Sequence, residues 1–200
     1  MSNTSVLTKS SVSAETITIT AIFTAIVSII SAIPAGFQLF GVPATLQTFG
    51  MAFLGFALGS KTGTSATALY ILAGLIGIPV FNGFESGPAV LFGITGGFLF
   101  GFLPLTALCG AGLKLSKKTA KRGWSITIAL TFGCLGLFLC HLCGILQFAF
   151  VYHTTIPKSF LMVSLPYLPK DIVSIAVAYF SALAVRNALS KAKLLPKSAV

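Results

Sequence analysis

The stretch Pro79-Val-Phe81-Asn82-Gly83-Phe-Glu85-Ser-Gly87-Pro88-Ala-Val-Leu-Phe-Gly93-Ile94-Thr95-Gly96-Gly97-Phe98-Leu-Phe-Gly101 sits between long apolar runs. It holds two prolines, five glycines before Gly101, an amide and one of the three carboxylates in the whole chain. A helix facing lipid has no use for such residues. Glycine permits positive φ and close backbone approach. Irregular backbone at membrane depth persists only where protein or water satisfies its polar groups. The stretch therefore reads as the wall of a small-molecule site, and the runs around it as the scaffold.

Working outward, composition sets the class. Apolar residues make up 56% of the 200 residues and charged residues 8%, against about 25% charged in an average soluble domain. Mean hydropathy is +0.99. That is too little polar surface for water, and the chain reads as an all-α, multi-pass membrane protein. Its net charge of +10 does not point to nucleic acid, because no soluble domain exists to present a basic face. The basic residues instead fall in short clusters between apolar runs.

Six transmembrane helices are expected, over about residues 15–33, 46–59, 64–78, 90–113, 124–151 and 171–189. They form one substrate-binding domain, residues 15–190, between a loose polar N-terminus (1–14) and a basic tail (191–200). The first run reads as an uncleaved helix, since its long leading segment carries only Lys9 and further spans follow. The second and third runs are short against the roughly 20 residues of a standard span, so their ends belong inside protein. With the N-terminus inside, eleven cations fall on inner segments and two, Lys158 and Lys170, on outer ones. By the positive-inside rule both termini are cytoplasmic. The Pro/Gly-rich connections 34–45, 79–90 and 152–170 then all face outward.

Little reactive chemistry is available. The carboxylates are Glu15, Glu85 and Asp171. Glu15 opens the first span, where a carboxylate suits the helix dipole. Asp171 opens the last span, either as its N-cap or as an acceptor for a ligand's N–H donors. Asn82 offers donor and acceptor together, as a planar amide or urea needs, although loop asparagines also serve turns. His141 lies inside the fifth run and His153 at its outer end. No local Ser/His/Asp or Cys/His set forms, and no phosphate-binding loop exists. The cysteines, including Cys140 and Cys143, suit packing better than metal or redox chemistry. The chain is expected to be no enzyme, to hold no metal or cofactor, and to draw any transport energy from elsewhere.

At these residues the sequence resembles the BioY family, the biotin-specific S components of energy-coupling-factor (ECF) transporters. Three blocks carry the likeness: Val42-Pro43-Ala-Thr45-Leu46-Gln47-Thr48-Phe49, then Gly77-Ile-Pro79-Val80-Phe81 with Gly93-Ile94-Thr95-Gly96-Gly97-Phe98-Leu99-Phe100-Gly101-Phe102, then Pro166-Tyr167-Leu168-Pro169-Lys170-Asp171. The weaker Ala21-x-x-x-Ala25 is similar to the pattern by which S components dock on the coupling subunit. The resemblance implies an S-component-like bundle with an outward pocket closed by residues 34–45. It implies that Asp171 and Asn82 contact the ureido ring of biotin. Phe37, Phe81 and Tyr70 are candidates to pack on the thioether ring, and Thr45, Gln47 and Thr95 to line the polar end.

The chain departs from the family pattern at Ile94, Phe98, Lys170 and Ser174, where the family has Pro, Tyr, Gly and often Lys. Lys170, Lys158 or helix N-terminal N–H groups are the candidates to hold the ligand's carboxylate. The implied function is biotin capture in a bacterial plasma membrane, with release energised by an ECF coupling subunit and two ATPase subunits. The alternatives are a solitary or self-associating biotin carrier, an S component for another vitamin, or an intramembrane enzyme.

Overall fold

The structure is a computed structural model that describes residues 13–34, 36 and 38–194. Phe37 therefore lies outside the described residues, as do most of the N-terminal segment and the end of the tail. The described residues form seven α-helices, one two-stranded hairpin and one 3₁₀ turn. In order they are α1 (Ala14–Ala32), β1 (Gln38–Leu39), β2 (Val42–Pro43), α2 (Gln47–Leu75), the 3₁₀ turn Asn82–Phe84, α3 (Pro88–Leu91), α4 (Gly96–Ser116), α5 (Arg122–Val151), α6 (Ile156–Val163) and α7 (Leu168–Lys191). Four of them, α1, α4, α5 and α7, are long and apolar enough to cross a membrane.

α2 is two helices folded back on each other. Gly59, at φ 81° and ψ 173°, breaks it, in a backbone region open essentially to glycine alone. Contacts across the break run antiparallel. Gln47 Nε2 donates to Tyr70 Oη at 2.7 Å, Thr67 Oγ1 reaches Met51 Sδ at 3.6 Å, and a Cβ on Gly63 would meet Leu54 O at 2.6 Å. The second and third apolar runs are thus distinct helices. The joint between the runs 46–59 and 64–78 narrows to one residue.

Glycine sets the spacing of the central pair. A Cβ on Gly97 of α4 would come within 2.3 Å of Cys143 O, one on Gly101 within 2.6 Å of Cys140 Cα, and one on Gly136 of α5 within 2.9 Å of Leu105 Cα. Small residues at these turns let the two backbones approach, the usual basis of helix association in lipid. A buried polar knot ties α4 to both arms of α2: Thr106 Oγ1 donates to Met51 O at 3.1 Å and lies 2.9 Å from Thr67 Oγ1.

The connections differ from the expected loops in three places. Residues 152–170 contain α6, an amphipathic helix opened by Pro157. α7 begins at Leu168, so Asp171 is its fourth residue and not its N-cap; Tyr167 holds the cap position. The fourth run starts with the short α3 and re-forms as α4 only at Gly96, after Gly93–Thr95. Phe40 and Gly41, both at positive φ, make the two-residue turn of the hairpin, the geometry that matches strand twist.

Candidate functional site

The three Pro/Gly-rich connections gather at one end of the bundle, around a cavity of about 890 Å³. That is within the range of small-molecule sites. Its walls come from the hairpin, the start of α2, the loop 81–95, the start of α4, the middle of α5 and the α6–α7 corner. Thr45, Gln47, Phe81, Asn82, Thr95, Lys170 and Asp171 all line it. Tyr70 does not: it is fully buried behind the wall, holding Gln47 and packed edge-on against Phe81 at 5.5 Å. Ala21 and Ala25 lie away from the cavity, exposed on the outer face of α1.

The walls are anchored by close packing and by hydrogen bonds from other helices. Phe81 fits because residue 74 is glycine; a Cβ there would come within 2.0 Å of its ring. The amide of Gln147 on α5 donates to Leu91 O at 2.8 Å and to Gly93 O at 2.7 Å. These bonds replace the helical partners lost between α3 and α4. Gly83, at φ 73°, turns the chain so that Asn82 faces the cavity. The Asn82 Oδ1 atom is buried and has no hydrogen-bond partner within the described residues. A buried acceptor left unpaired costs about 1–3 kcal/mol, so this atom calls for a donor from the cavity side.

The hairpin is clamped from the opposite wall. Tyr167 Oη donates to Val42 O at 2.6 Å and accepts from Leu39 N at 3.1 Å. Burial pushes the Tyr167 phenol above its ordinary pKa, which keeps its proton in place for donation. Lys170 Nζ donates to Thr45 O at 2.9 Å and also to Asp171 Oδ1. Lys170 is therefore committed to the Asp171 carboxylate and the base of the hairpin. Val42, Ala44, Phe148, Val163 and Tyr167 form an apolar cluster beneath, with Ile94 packed against it.

Asp171 is 4% exposed. Its second oxygen, Oδ2, lies 3.3 Å from His141 Nε2, and His141 Nδ1 lies 2.8 Å from Ser164 Oγ. His141 and Ser164 were not among the residues expected at the site. A histidine inside a long apolar run is the one signal that pointed to it, since ionisable groups within spans face partners or cavities.

The comparisons agree on one family. The BioY family profile matches residues 3–191. The chain is 35% identical over 146 residues to a biotin transporter BioY of Thermotoga maritima, covering 73% of this chain and 82% of that one. It is 33% identical over 173 residues to a probable biotin transporter BioY of Bacillus subtilis, covering 85% and 89%. Among solved structures it is similar to the S-component for biotin from an ECF-type ABC transporter. The TM-score is 0.73 at 28% identity, over 88% of this chain and 91% of that one. With sequence profile, relatives and fold in accord over nearly its whole length, the chain belongs to the BioY family.

Proposed function

We propose that the chain is the biotin-binding membrane subunit of a vitamin uptake system. One observation carries the reading: Asn82 and Asp171, matched from sequence to a cyclic urea, line the same cavity. A urea presents two N–H donors and one carbonyl. The Asn82 amide pairs side by side with the carbonyl and one N–H, and the unpaired Oδ1 is the acceptor this needs. The second N–H falls to Asp171. Phe81 and Phe98, both lining the cavity, supply apolar surface for the thioether ring. The names of the relatives, biotin transporters, support the same ligand.

The rest of the reading concerns energy and orientation. The two arms of α2 add to the four long helices to make six spans, with both termini cytoplasmic and the cavity open to the outside of a bacterial plasma membrane. The chain releases biotin inward when an ECF coupling subunit and two ATPase subunits reorient it. The exposed face of α1 bearing Ala21 and Ala25 suits close docking of a partner helix. The test is titration of biotin into purified protein. Binding at micromolar affinity or better is expected, and its absence ends the proposal. Uptake in cells without any coupling subunit would instead favour a solitary carrier.

A further inference from the structure

Two side chains, Lys170 and His141, meet at Asp171, and Ser164 stands behind His141. Lys170 donates to Oδ1, His141 Nε2 faces Oδ2 at 3.3 Å, and Ser164 Oγ faces the other ring nitrogen at 2.8 Å. His141 is 4% exposed and Ser164 1%. An ionised carboxylate can only accept, so the ring proton belongs on Nε2. In the neutral ring Nδ1 is then an acceptor, and the Ser164 hydroxyl donates to it. Phe98 holds the imidazole edge-on at 5.6 Å and 89°. Phe98 is in turn seated over Gly144, where a Cβ would come within 2.4 Å of its ring. The imidazole is thus fixed in tautomer, position and tilt.

We propose that His141, held by Ser164, is a positioning residue for ligand recognition. It orients the Asp171 carboxylate so that the oxygens keep free lone pairs toward the cavity. A carboxylate has about four acceptor positions, and the protein occupies one on each oxygen. With Lys170 already balancing the charge, what remains suits a neutral N–H donor better than a cation. This rests on the reading of the ligand as a cyclic urea. A Ser–His–Asp nucleophile is a poor description of the same atoms. Ser164 lines an apolar groove with Leu137, Phe160 and Ile172, not the large cavity, so its hydroxyl has no access to a ligand there.

The test uses full-length protein in detergent, titrated with biotin and with a biotin analogue methylated on a ureido nitrogen. His141→Leu should weaken biotin at least tenfold and narrow the preference for biotin over the methylated analogue. His141→Gln, which keeps an amide N–H near the Nε2 position, should recover affinity to within threefold of wild type. Ring ¹⁵N shifts should report the Nε2–H tautomer, and Ser164→Ala should weaken that preference. If His141→Leu fails to fold, the Ser164→Ala protein and the ¹⁵N spectrum still decide the matter. Unchanged affinity and preference in folded His141→Leu or Ser164→Ala, or an Nδ1–H tautomer, overturns this inference alone. Wild-type protein that binds no biotin overturns the parent reading and this one with it.

Discussion

Asp171 and Arg186 lie on the same helix, about 22 Å apart at 1.5 Å per residue, and both are buried, at 4% and 6% exposure. Their surroundings differ. Arg186 Nη1 donates to Phe56 O at 3.4 Å and to Ala57 O at 2.8 Å. These carbonyls lie at the end of the first arm of α2, beside the break at Gly59. α4 closes over the break so tightly that a Cβ on Gly110 would come within 2.1 Å of Ser60 N. Asp171, at the other end, is held by donors on both oxygens yet still borders an open cavity. One charge is consumed in completing the backbone, while the other is oriented and left with capacity to spare. Of these two buried charges, only Asp171 adjoins open space.

That contrast can be broken by experiment. Arg186→Leu should have the largest effect, a loss of about 3 kcal/mol of stability, because two buried carbonyls lose a charged donor. Thermal melts in detergent measure it, and biotin affinity of the folded fraction should not change; a selective loss of affinity would erase the distinction between the two ends. Asp171→Ala should do the reverse. Biotin affinity should fall by about 2 kcal/mol, roughly thirtyfold, because the ligand's N–H donor goes unpaired. Calorimetric titration decides it, and wild-type affinity refutes the role.

Gly59→Ala comes next, at about 1–2 kcal/mol of stability, since a side chain is strained at φ 81° and ψ 173°. A melt unchanged from wild type would show that the α2 turn tolerates another geometry. The smallest effect is expected from Tyr167→Phe, which frees the hairpin from Val42 and Leu39 at about 1 kcal/mol. Biotin should dissociate several-fold faster in stopped-flow displacement, with little change in melting. An unaltered off-rate would mean that the hairpin does not gate the cavity.

Much of this was legible beforehand, for identifiable reasons. The apolar runs showed the helices because lipid demands long uncharged segments. The grouping of 34–45, 79–90 and 152–170 at one end followed from charge distribution, and the structure gathers those connections around the cavity. Where the reading missed, interactions from other helices decided the local form. Residues 156–163 looked like loop between prolines but fold as α6, whose Val163 is buried against the hairpin cluster. The last span was expected to open at Asp171, after Pro169, but Pro is at home in a first helical turn, so α7 starts earlier, at Leu168, and Asp171 is not its cap. Tyr70 looked like a ring to stack on ligand; packing places it behind Gln47 and Phe81 instead.

By itself the sequence determined the class of molecule, most of its helices and the family, and it singled out Asn82 and Asp171, which the structure brings to one cavity. Each of these is written in local composition or a short contiguous block. Tertiary structure alone decided what surrounds that pair. Ser164 reaches His141 across 23 positions, Lys170 reaches Thr45 across 125, and Arg186 reaches Ala57 across 129. No spacing rule links such residues. They meet because glycines bring α4 onto α5 and fold α2 at Gly59, and the surrounding helices dock against the frame that results.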